Sequence, residues 1–403
     1  MDLKYIFTWI KLHWCSSIKN NFFKNTYFMI ERQSYLQQIS DLFRTFPVVA
    51  VLGARQVGKS TLAKQFLRQK SFHFYDLESE RDLSALEHAQ FALEQHSGLI
   101  VIDEIQRAPN LFPLLRYLVD TKEQRYLILG SSSRDLINQS SETLAGRIAY
   151  IELPPLSIHE TVLPLETHLL RGGFPRSLLS ANDSASQRWR QEYIKTFLER
   201  DLRQIGFDVA PSQMRRFWQM LAHYHGQIFN ASEIATSLGL SLKTAQRYLE
   251  ILEGVFMVQE LKPWFENIKK RQIKRPKSYF MYTGILNALL GINTFNDLLV
   301  HPKLGAIWEG FALQETIREH NFDRDDCYFW ATSNQAELDL FVLHQGKRYG
   351  FEFKFSDTPK VTKSMNIAIE DLKLDDITVV IPKGRCYKLD ERIIVKPISS
   401  QIG

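Results

Sequence analysis

The chain has 403 residues, of which 44% are hydrophobic and 24% charged, and it carries a formal net charge of +5. This length exceeds one ordinary hydrophobic core, so we expect three domains, and the composition excludes a disordered chain. No stretch reaches the roughly 18 uninterrupted apolar residues of a membrane-spanning helix, and the three cysteines are too far apart for a disulfide framework or a zinc site. These features predict a cytoplasmic protein without a membrane partner.

The first 28 residues are basic and aromatic, and they lack both the clean apolar core and the small-residue cleavage site of a signal peptide. Met29 directly precedes a helix-like lead into the first predicted strand. We therefore favour Met29 over Met1 as the first native residue, while both starts stay open. The predicted organisation is a basic extension at 1–28, followed by domains at 29–180, 181–295 and 296–403.

Residues 53–61 read GARQVGKST and stand between an apolar strand, Val48–Leu52, and a helical segment. In this context the pattern G-x-x-x-x-G-K-[ST] predicts a phosphate-binding loop, because its glycines let backbone N–H groups surround the β-phosphate at the positive end of the helix. Lys59 would reach the β and γ oxygens, and Ser60 would offer a hydroxyl to magnesium. The predicted nucleotide-binding residues of this segment are Gly53, Gly58, Lys59, Ser60 and Thr61.

Two acidic residues end the second predicted strand, which reads GLIVIDE at 98–104. An apolar run of this kind is typical of a parallel strand that is buried on both faces. We expect Asp103 to hold the magnesium water shell and Glu104 to orient and polarise the attacking water. A pair of surface carboxylates is the alternative, but two acids at the end of a buried strand behind a phosphate loop favour the functional interpretation.

The third strand and the segment after it supply two further candidates. The strand at 125–133 reads RYLILGSSS and brings Ser131 or Ser132 to the same sheet edge, where a hydroxyl can sense the γ-phosphate or cap the next helix. Arg147 precedes another predicted strand, and as an arginine finger it would reach a phosphate in its own or a neighbouring subunit. A surface ion pair is the alternative for Arg147, and a finger acting in a neighbouring subunit implies a homo-oligomer.

The stretch 230–261 has the pattern of a helix-turn-helix, with Gly239 at the turn. In the second helix apolar residues recur with helical spacing, and the opposite face carries side chains of the kind that bond phosphates and base edges. The predicted apolar stripe is Leu242, Ala245, Leu249 and Leu252, and the predicted polar face is Lys243, Gln246 and Arg247.

Two alternating segments after these helices predict the strands of a wing, with a basic run between them at 262–277. This run contains a single acid, Glu266. A helix-turn-helix with a basic wing favours DNA as the partner, whereas a lid over the nucleotide or a subunit contact is the alternative. The basic residues of the run are Lys262, Lys269, Lys270, Arg271, Lys274, Arg275 and Lys277.

The segment 336–356 predicts a β-hairpin with a two-residue turn at 345–346, because the glycine of Gln-Gly supplies the positive φ that such turns require. The resulting register places Asp339 opposite Glu352 and Glu337 opposite Lys354. Two opposed carboxylates repel each other unless a cation or a proton lies between them, and magnesium would remove the repulsion. A polar strand face in water, stabilised by Glu337 and Lys354, is the alternative.

The order of several motifs, VLGARQVGKSTLA, LIVIDEIQRAP, LILGSSS, LAGRIAYIELPPLS, RGGFPRSL and FLERDL, resembles that of bacterial and archaeal AAA+-like P-loop ATPases with a C-terminal restriction-endonuclease-like domain. The resemblance covers roughly residues 30–400. It implies an α/β fold with a P-loop NTPase core on a parallel sheet, a helical and winged-helix middle, and a C-terminal α/β restriction-endonuclease-like domain. It also implies that Glu309 joins Asp339 and Glu352 as metal ligands, with Lys354 assisting the water or the transition state.

Together these features predict an ATP-hydrolysing protein that acts on DNA, with ATP and Mg²⁺ as cofactors. The alternative is an ATP-dependent switch that binds a protein partner and carries the nuclease-like domain as an inert platform. The predicted catalytic residues are Lys59, Glu104, Arg147 and Lys354, and the predicted metal ligands are Ser60, Asp103, Glu309, Asp339 and Glu352.

Overall fold

A computed structural model describes residues 30–68, 70–131, 144–266, 272–333 and 336–398. The predicted extension at 1–28, Ser132 and the basic residues Lys269, Lys270 and Arg271 lie outside these ranges. The described residues form a mixed α/β protein with two main sheets. Within these ranges, no helix is both long and apolar enough to cross a membrane.

The amino-terminal region is built on a five-stranded parallel sheet. Its strands are β1 Val48–Leu52, β2 Phe72–Asp76, β3 Leu99–Asp103, β4 Arg125–Gly130 and β5 Ile148–Glu152. Their order in the sheet is β2-β3-β4-β1-β5. All neighbouring strands run in parallel, so their carboxyl ends meet at one edge. Every residue of β1 is buried, as its uninterrupted apolar sequence predicts.

Helices cover both faces of this sheet. They are α1 Gln33–Leu42, α2 Lys59–Phe66, α3 Glu80–Ala85, α4 Ala89–Glu94 and α5 Leu111–Thr121. Apolar residues of α1 and α2 share one buried cluster with Val49 and Val51, whereas those of α4 and α5 share another with Val48 and Ala50. Alternate residues of β1 therefore face opposite layers, as the two-residue period of a strand requires.

The middle of the chain is helical. Its helices are α6 Leu165–Arg171, α7 Pro175–Leu178, α8 Asp183–Thr196, α9 Leu202–Gln204, α10 Pro211–His223, α11 Ala231–Leu238 and α12 Leu242–Gly254. A π-helical turn, Phe197–Asp201, connects α8 to α9 without a break. Turns of this wider kind are rare and occur frequently at functional sites.

The predicted helix pair corresponds to α11 and α12, which are joined by the predicted turn at Gly239. Lys243, Gln246 and Arg247 are exposed on α12, as predicted. Leu242 was wrongly assigned to the apolar stripe: it is the first residue of α12, after the N-cap Ser241, and remains 47% exposed. The buried side of α12 is formed instead by Ala245, Tyr248, Leu249, Ile251 and Leu252.

A second, nine-stranded sheet extends through the rest of the chain. Its strands are β6 Gln227–Ile228, β7 Val258–Pro263, β8 Lys277–Phe280, β9 Cys327–Ala331, β10 Glu337–His344, β11 Lys347–Phe353, β12 Ile377–Ile381, β13 Tyr387–Asp390 and β14 Ile393–Pro397. They lie in the order β13-β14-β12-β11-β10-β9-β7-β8-β6. The accompanying helices are α13 Thr283–Leu289, α14 Phe295–Leu299, α15 Leu304–Glu319 and α16 Lys363–Leu372.

The two strands predicted for a wing are β7 and β8, and they pair in antiparallel fashion. β7 also pairs in parallel with β9, where Lys262 lies opposite Tyr328 and Pro263 opposite Phe329. The sheet is therefore continuous across the domain boundary predicted at 295–296. Backbone hydrogen bonds thus join the strand that follows α11 and α12 to the carboxyl-terminal region.

The hairpin of β10 and β11 has the predicted turn and register over its outer half. Gln345 and Gly346 have φ values of 50° and 76°, which match a two-residue turn of the primed type. The pairing runs from Leu340 opposite Phe351 to the turn. Before Leu340 the pairing of β10 with β9 shifts in register, and Leu338 joins the buried cluster of Phe341 instead of the cluster that contains Leu340.

Gly310 of α15 lies against the buried ring of His225. A Cβ atom at Gly310 would stand 2.3 Å from His225 Nε2. The ring is held in place because the backbone N–H of Phe280 donates to His225 Nδ1 at 2.9 Å. We expect Gly310→Ala to lower the free energy of unfolding by about 1–3 kcal/mol through this overlap, as measured by urea denaturation.

Gly305 provides the matched control, because it belongs to the same helix and a Cβ atom there would meet no atom within 4 Å. Gly305→Ala is expected to leave the free energy of unfolding unchanged or to raise it by up to about 1 kcal/mol. Equal effects of the two substitutions would contradict the close contact with His225.

Candidate functional site

The predicted phosphate loop follows β1 and leads into α2 at the carboxyl edge of the parallel sheet. Gly58 has a φ of 105° and is the N-cap of α2, a conformation that favours glycine. Lys59 is buried, and its Nζ donates to the carbonyl oxygens of Gly53 at 3.0 Å and Ala54 at 3.1 Å. Burial lowers the pKa of Lys59, while the charges of Glu104 and Asp103 oppose this shift. The ammonium thus lies inside the loop, beside both predicted acids.

The two predicted magnesium ligands of the loop are in direct contact. Ser60 Oγ donates to Asp103 Oδ2 at 2.6 Å. Burial raises the pKa of Asp103 to about 6, and the hydrogen bond from Ser60 partly opposes this rise. A hydroxyl and a poorly solvated carboxylate are oxygen donors of the kind that Mg²⁺ prefers, so this pair fits the ion.

Glu104 is fixed by two neighbours. Ser131 Oγ donates to Glu104 Oε2 at 2.7 Å, and Gln106 Nε2 donates to both Glu104 and Ser131 Oγ. The backbone of Glu104 is left-handed, with φ 57° and ψ 44°. This conformation costs on the order of 1–3 kcal/mol for a residue other than glycine and is concentrated at functional sites. Ser131 therefore positions Glu104, and its predicted sensing of a γ-phosphate stays a prediction.

Arg147 lies away from these residues. It immediately precedes β5, and its carbonyl oxygen accepts a hydrogen bond from Val48 N, at the amino end of β1. The five residues of β1 separate this edge from the phosphate loop by about 16 Å. Arg147 instead donates to Asp120, from Nε at 2.6 Å and from Nη2 at 2.9 Å. The prediction that it reaches a phosphate of its own chain is wrong, and its role in a neighbouring subunit stays a prediction.

A cleft of about 170 Å³ borders Gly58 and Thr61. Arg32 lines it and is itself held by Glu160, from Nε at 2.6 Å, and by the carbonyl oxygen of Pro154 at 2.7 Å. The sequence gives no signal for Arg32, because its partners lie more than a hundred positions away. The remaining lining residues are Ile30, Val57, Leu62, Gln65, Leu156, Pro175 and Leu179.

The predicted nuclease-like residues lie together with Lys277, and we term this group the carboxylate–lysine cluster. Its members are Glu309, Asp339, Glu352, Lys354 and Lys277. Lys354 Nζ is 2.6 Å from Glu352 Oε2 and 3.6 Å from Asp339 Oδ2. Lys277 Nζ donates to Glu309 Oε1 at 3.1 Å. Each carboxylate of the cluster therefore has an ammonium group within salt-bridge distance.

Burial sets the electrostatics of this cluster. Burial and then the charge of Asp339 raise the pKa of both Glu309 and Glu352 above the usual range of a glutamate. Burial lowers the pKa of Lys354, but Asp339 and Glu352 outweigh this effect and raise it. The two lysines thus compensate the crowded negative charge.

The structure places Lys277 and Glu337 differently from the sequence-based assignment. Lys277 was counted with the basic wing, yet it is only 5% exposed and contacts Glu337 as well as Glu309. Glu337 therefore pairs with Lys277 rather than with Lys354. Carboxylates suit Mg²⁺ chemically, but among the described residues no group of three or more His, Cys, Asp or Glu side chains is arranged to hold a metal ion. The assignment of Glu309, Asp339 and Glu352 as metal ligands stays a prediction.

Comparison with known proteins identifies three matched regions. Residues 45–162 match the family model of an AAA domain, and residues 163–296 and 304–400 match two domains of unknown function, DUF8612 and DUF4143. The chain is 42% identical to the uncharacterized protein Rv2008c of Mycobacterium tuberculosis over 372 residues, 92% of this chain and 84% of the relative. Mb2031c of Mycobacterium bovis matches to the same extent. Among solved structures, the Walker-type ATPase PABY2304 of Pyrococcus abyssi is similar at 16% identity with a TM-score of 0.49, over 65% of this chain and 96% of that chain.

Proposed function

The chain belongs to the same family as the mycobacterial proteins Rv2008c and Mb2031c, and from its AAA domain we propose that it binds ATP and hydrolyses the bond to the terminal phosphate. The observation that carries this proposal is the 2.6 Å contact of Ser60 Oγ with Asp103 Oδ2, with the charges of Lys59 and Glu104 beside it. A hydroxyl, an ammonium and two acids at one helix N-terminus are the groups that a phosphate-loop ATPase requires.

Each of these groups has a distinct role in the proposal. The backbone N–H groups at the start of α2 and the ammonium of Lys59 would hold the β and γ oxygens. Ser60 and Asp103 would hold Mg²⁺, which neutralises phosphate charge. Glu104, fixed by Ser131 and Gln106, would accept a hydrogen bond from the attacking water and orient it.

The cleft beside Gly58 supports a nucleotide rather than a free phosphate. The cleft is open to solvent, and its lining is mainly apolar with a few polar groups, as in small-molecule sites. The base and ribose would occupy it, next to Thr61 and Gln65. Mg²⁺-dependent release of phosphate from ATP by the full chain tests the proposal. Glu104→Gln is expected to affect hydrolysis, whereas Lys59→Ala is expected to affect nucleotide binding.

We propose DNA as the macromolecular partner, on the basis of the exposed polar face of α12. Lys243, Gln246 and Arg247 lie on that face, and Lys274 and Arg275 are exposed just before β8. Such side chains bond phosphates and base edges when a second helix enters the major groove. Because Lys277 is buried, the predicted wing has one exposed basic residue fewer than expected. The exposed residues of α12 are not affected by this correction.

Neutralising Lys269, Lys270, Arg271, Lys274 and Arg275 to glutamine is expected to weaken binding to duplex DNA by about tenfold or more at low salt. The dependence of log affinity on log salt should become less steep, because fewer counterions are released. Fluorescence anisotropy over a salt series measures both effects.

The matched control removes five exposed charges elsewhere, at Lys347, Lys360, Lys363, Arg385 and Lys388. It is expected to retain the wild-type affinity for DNA within about threefold. If the two variants lost the same amount of DNA affinity, the affinity would depend on net charge alone. That result would contradict a DNA-binding wing.

The carboxylate–lysine cluster favours the alternative in which the carboxyl-terminal region is an inert platform. Lys354 and Lys277 contact the carboxylates that a nuclease would use for its metal. We therefore derive no cleavage step from this region. DNA degradation that requires both Asp339 and Lys354 would restore the nuclease interpretation.

A further inference from the structure

Arg55, in the middle of the phosphate loop, is held by residues outside the loop. Its Nη1 contacts Asp201 and donates to Gln204 Oε1 at 3.1 Å, and its Nη2 contacts Glu78. Asp201 is the last residue of the π-helical turn Phe197–Asp201. The helical middle of the chain therefore binds the loop through one guanidinium.

A second bond attaches the same residue to the same helix. Tyr193 OH, on α8, donates to the backbone carbonyl oxygen of Arg55 at 3.3 Å. Tyr193 and Asp201 belong to the continuous helical segment formed by α8 and the π-helical turn. Both the side chain and the backbone of Arg55 therefore contact that helical segment.

Arg55 and Asp201 also line a small cleft at the carboxyl edge of the parallel sheet, together with Glu78, Glu104, Gln106 and Ser131. Burial raises the pKa of Asp201, and the charge of Arg55 opposes that rise. The side chain of Asp201 is only 7% exposed, so it depends on Arg55 for a partner. Glu104, the proposed water-orienting acid, lies in the same cleft.

We propose that Arg55 binds the γ-phosphate within its own chain, and that Asp201 and Glu78 compete with ATP for its guanidinium. This inference rests on the proposed ATPase function. Glu104 would face the terminal phosphorus of a nucleotide held by Lys59 and Ser60, and Arg55 lines the same cleft as Glu104. A guanidinium binds carboxylate and phosphate oxygens with the same bidentate geometry, so one group can exchange between them.

The competition distinguishes ATP from ADP. ADP presents no γ-phosphate to Arg55, so the contact with Asp201 would persist in the ADP complex. ATP would draw Arg55 away from Asp201. If Arg55 only stabilised the helical segment, its substitution would change the affinities for ATP and for ADP equally.

The test compares the affinities of the full chain for the Mg²⁺ complexes of ADP and of a non-hydrolysable ATP analogue, by isothermal titration calorimetry. Arg55→Gln is expected to weaken binding of the ATP analogue by about tenfold or more and binding of ADP by less than about twofold. Asp201→Asn removes the competing charge and is expected to raise the preference for the ATP analogue over ADP by about threefold or more.

Two matched controls accompany these variants. Arg116→Gln removes an exposed arginine of α5 that does not line this cleft, and Glu199→Gln removes an exposed acid of the same π-helical turn. Both are expected to keep the wild-type ratio of the two affinities. Thermal unfolding of each variant shows that the ratio is measured on folded protein.

The outcomes separate this inference from the proposed function. A wild-type chain that binds neither nucleotide would overturn the ATPase proposal itself. Wild-type binding combined with equal losses for both nucleotides in Arg55→Gln, or with an unchanged ratio in Asp201→Asn, would overturn only the role of Arg55.

Discussion

Glu104→Gln is expected to lower the rate of ATP hydrolysis by a factor of about 10²–10³ while leaving ATP affinity within about twofold. A carboxamide has almost the same shape as a carboxylate, and Ser131 and Gln106 can still contact one of its oxygen or nitrogen atoms. It cannot accept the proton of the attacking water. Steady-state phosphate release measures the rate, and calorimetric titration measures the affinity.

The control for this substitution is Glu94→Gln, an exposed acid on α4. It removes the same charge from the same domain and should keep the wild-type rate of hydrolysis. A Glu104→Gln protein with wild-type turnover would exclude Glu104 as the residue that orients the water and would transfer that role to another acid of the cleft.

Lys59→Ala is expected to weaken nucleotide binding by about a hundredfold and to lower hydrolysis at least as much. The ammonium already lies in the loop, bound to two carbonyl oxygens, so its removal takes away a charge positioned for the phosphates. The measurement is the affinity for ADP and for a non-hydrolysable ATP analogue in the presence of Mg²⁺.

Lys122→Ala serves as the comparison, because Lys122 is an exposed residue that follows α5. Its nucleotide affinity should equal that of the wild type. Equal ATP turnover in the wild type and in Lys59→Ala would contradict the proposed function as a whole.

The phosphate loop and its acids could be predicted because the relevant signals are local. An apolar strand, a glycine-rich turn and a helix are consecutive in the chain, so Gly58, Lys59 and Ser60 need no distant partner to adopt their places. The hairpin turn at 345–346 was predictable for the same reason. A strand pair joined by two residues leaves one register available.

The misplaced residues depend on partners that are distant in sequence. Lys277 can be buried because it forms ion pairs with Glu309 of α15 and Glu337 of β10. Counting the charges near Lys277 in the sequence does not reveal these two partners. The contact of Arg55 with Asp201 joins positions that are 146 residues apart. Arg147 is different: a residue that precedes a parallel strand lies at the amino edge of the sheet, so the direction of β5 alone could have excluded it from its own phosphate site.

The pairing of β7 with β9 has a mechanical consequence. Backbone hydrogen bonds, including that from Trp264 N to the carbonyl oxygen of Phe329 at 2.7 Å, fasten the two halves of the long sheet to each other. An independent rotation of α12 and the carboxylate–lysine cluster would break these backbone hydrogen bonds. If the release of Asp201 by Arg55 moves the helical region, α12 and the carboxylate–lysine cluster would move together relative to the parallel sheet.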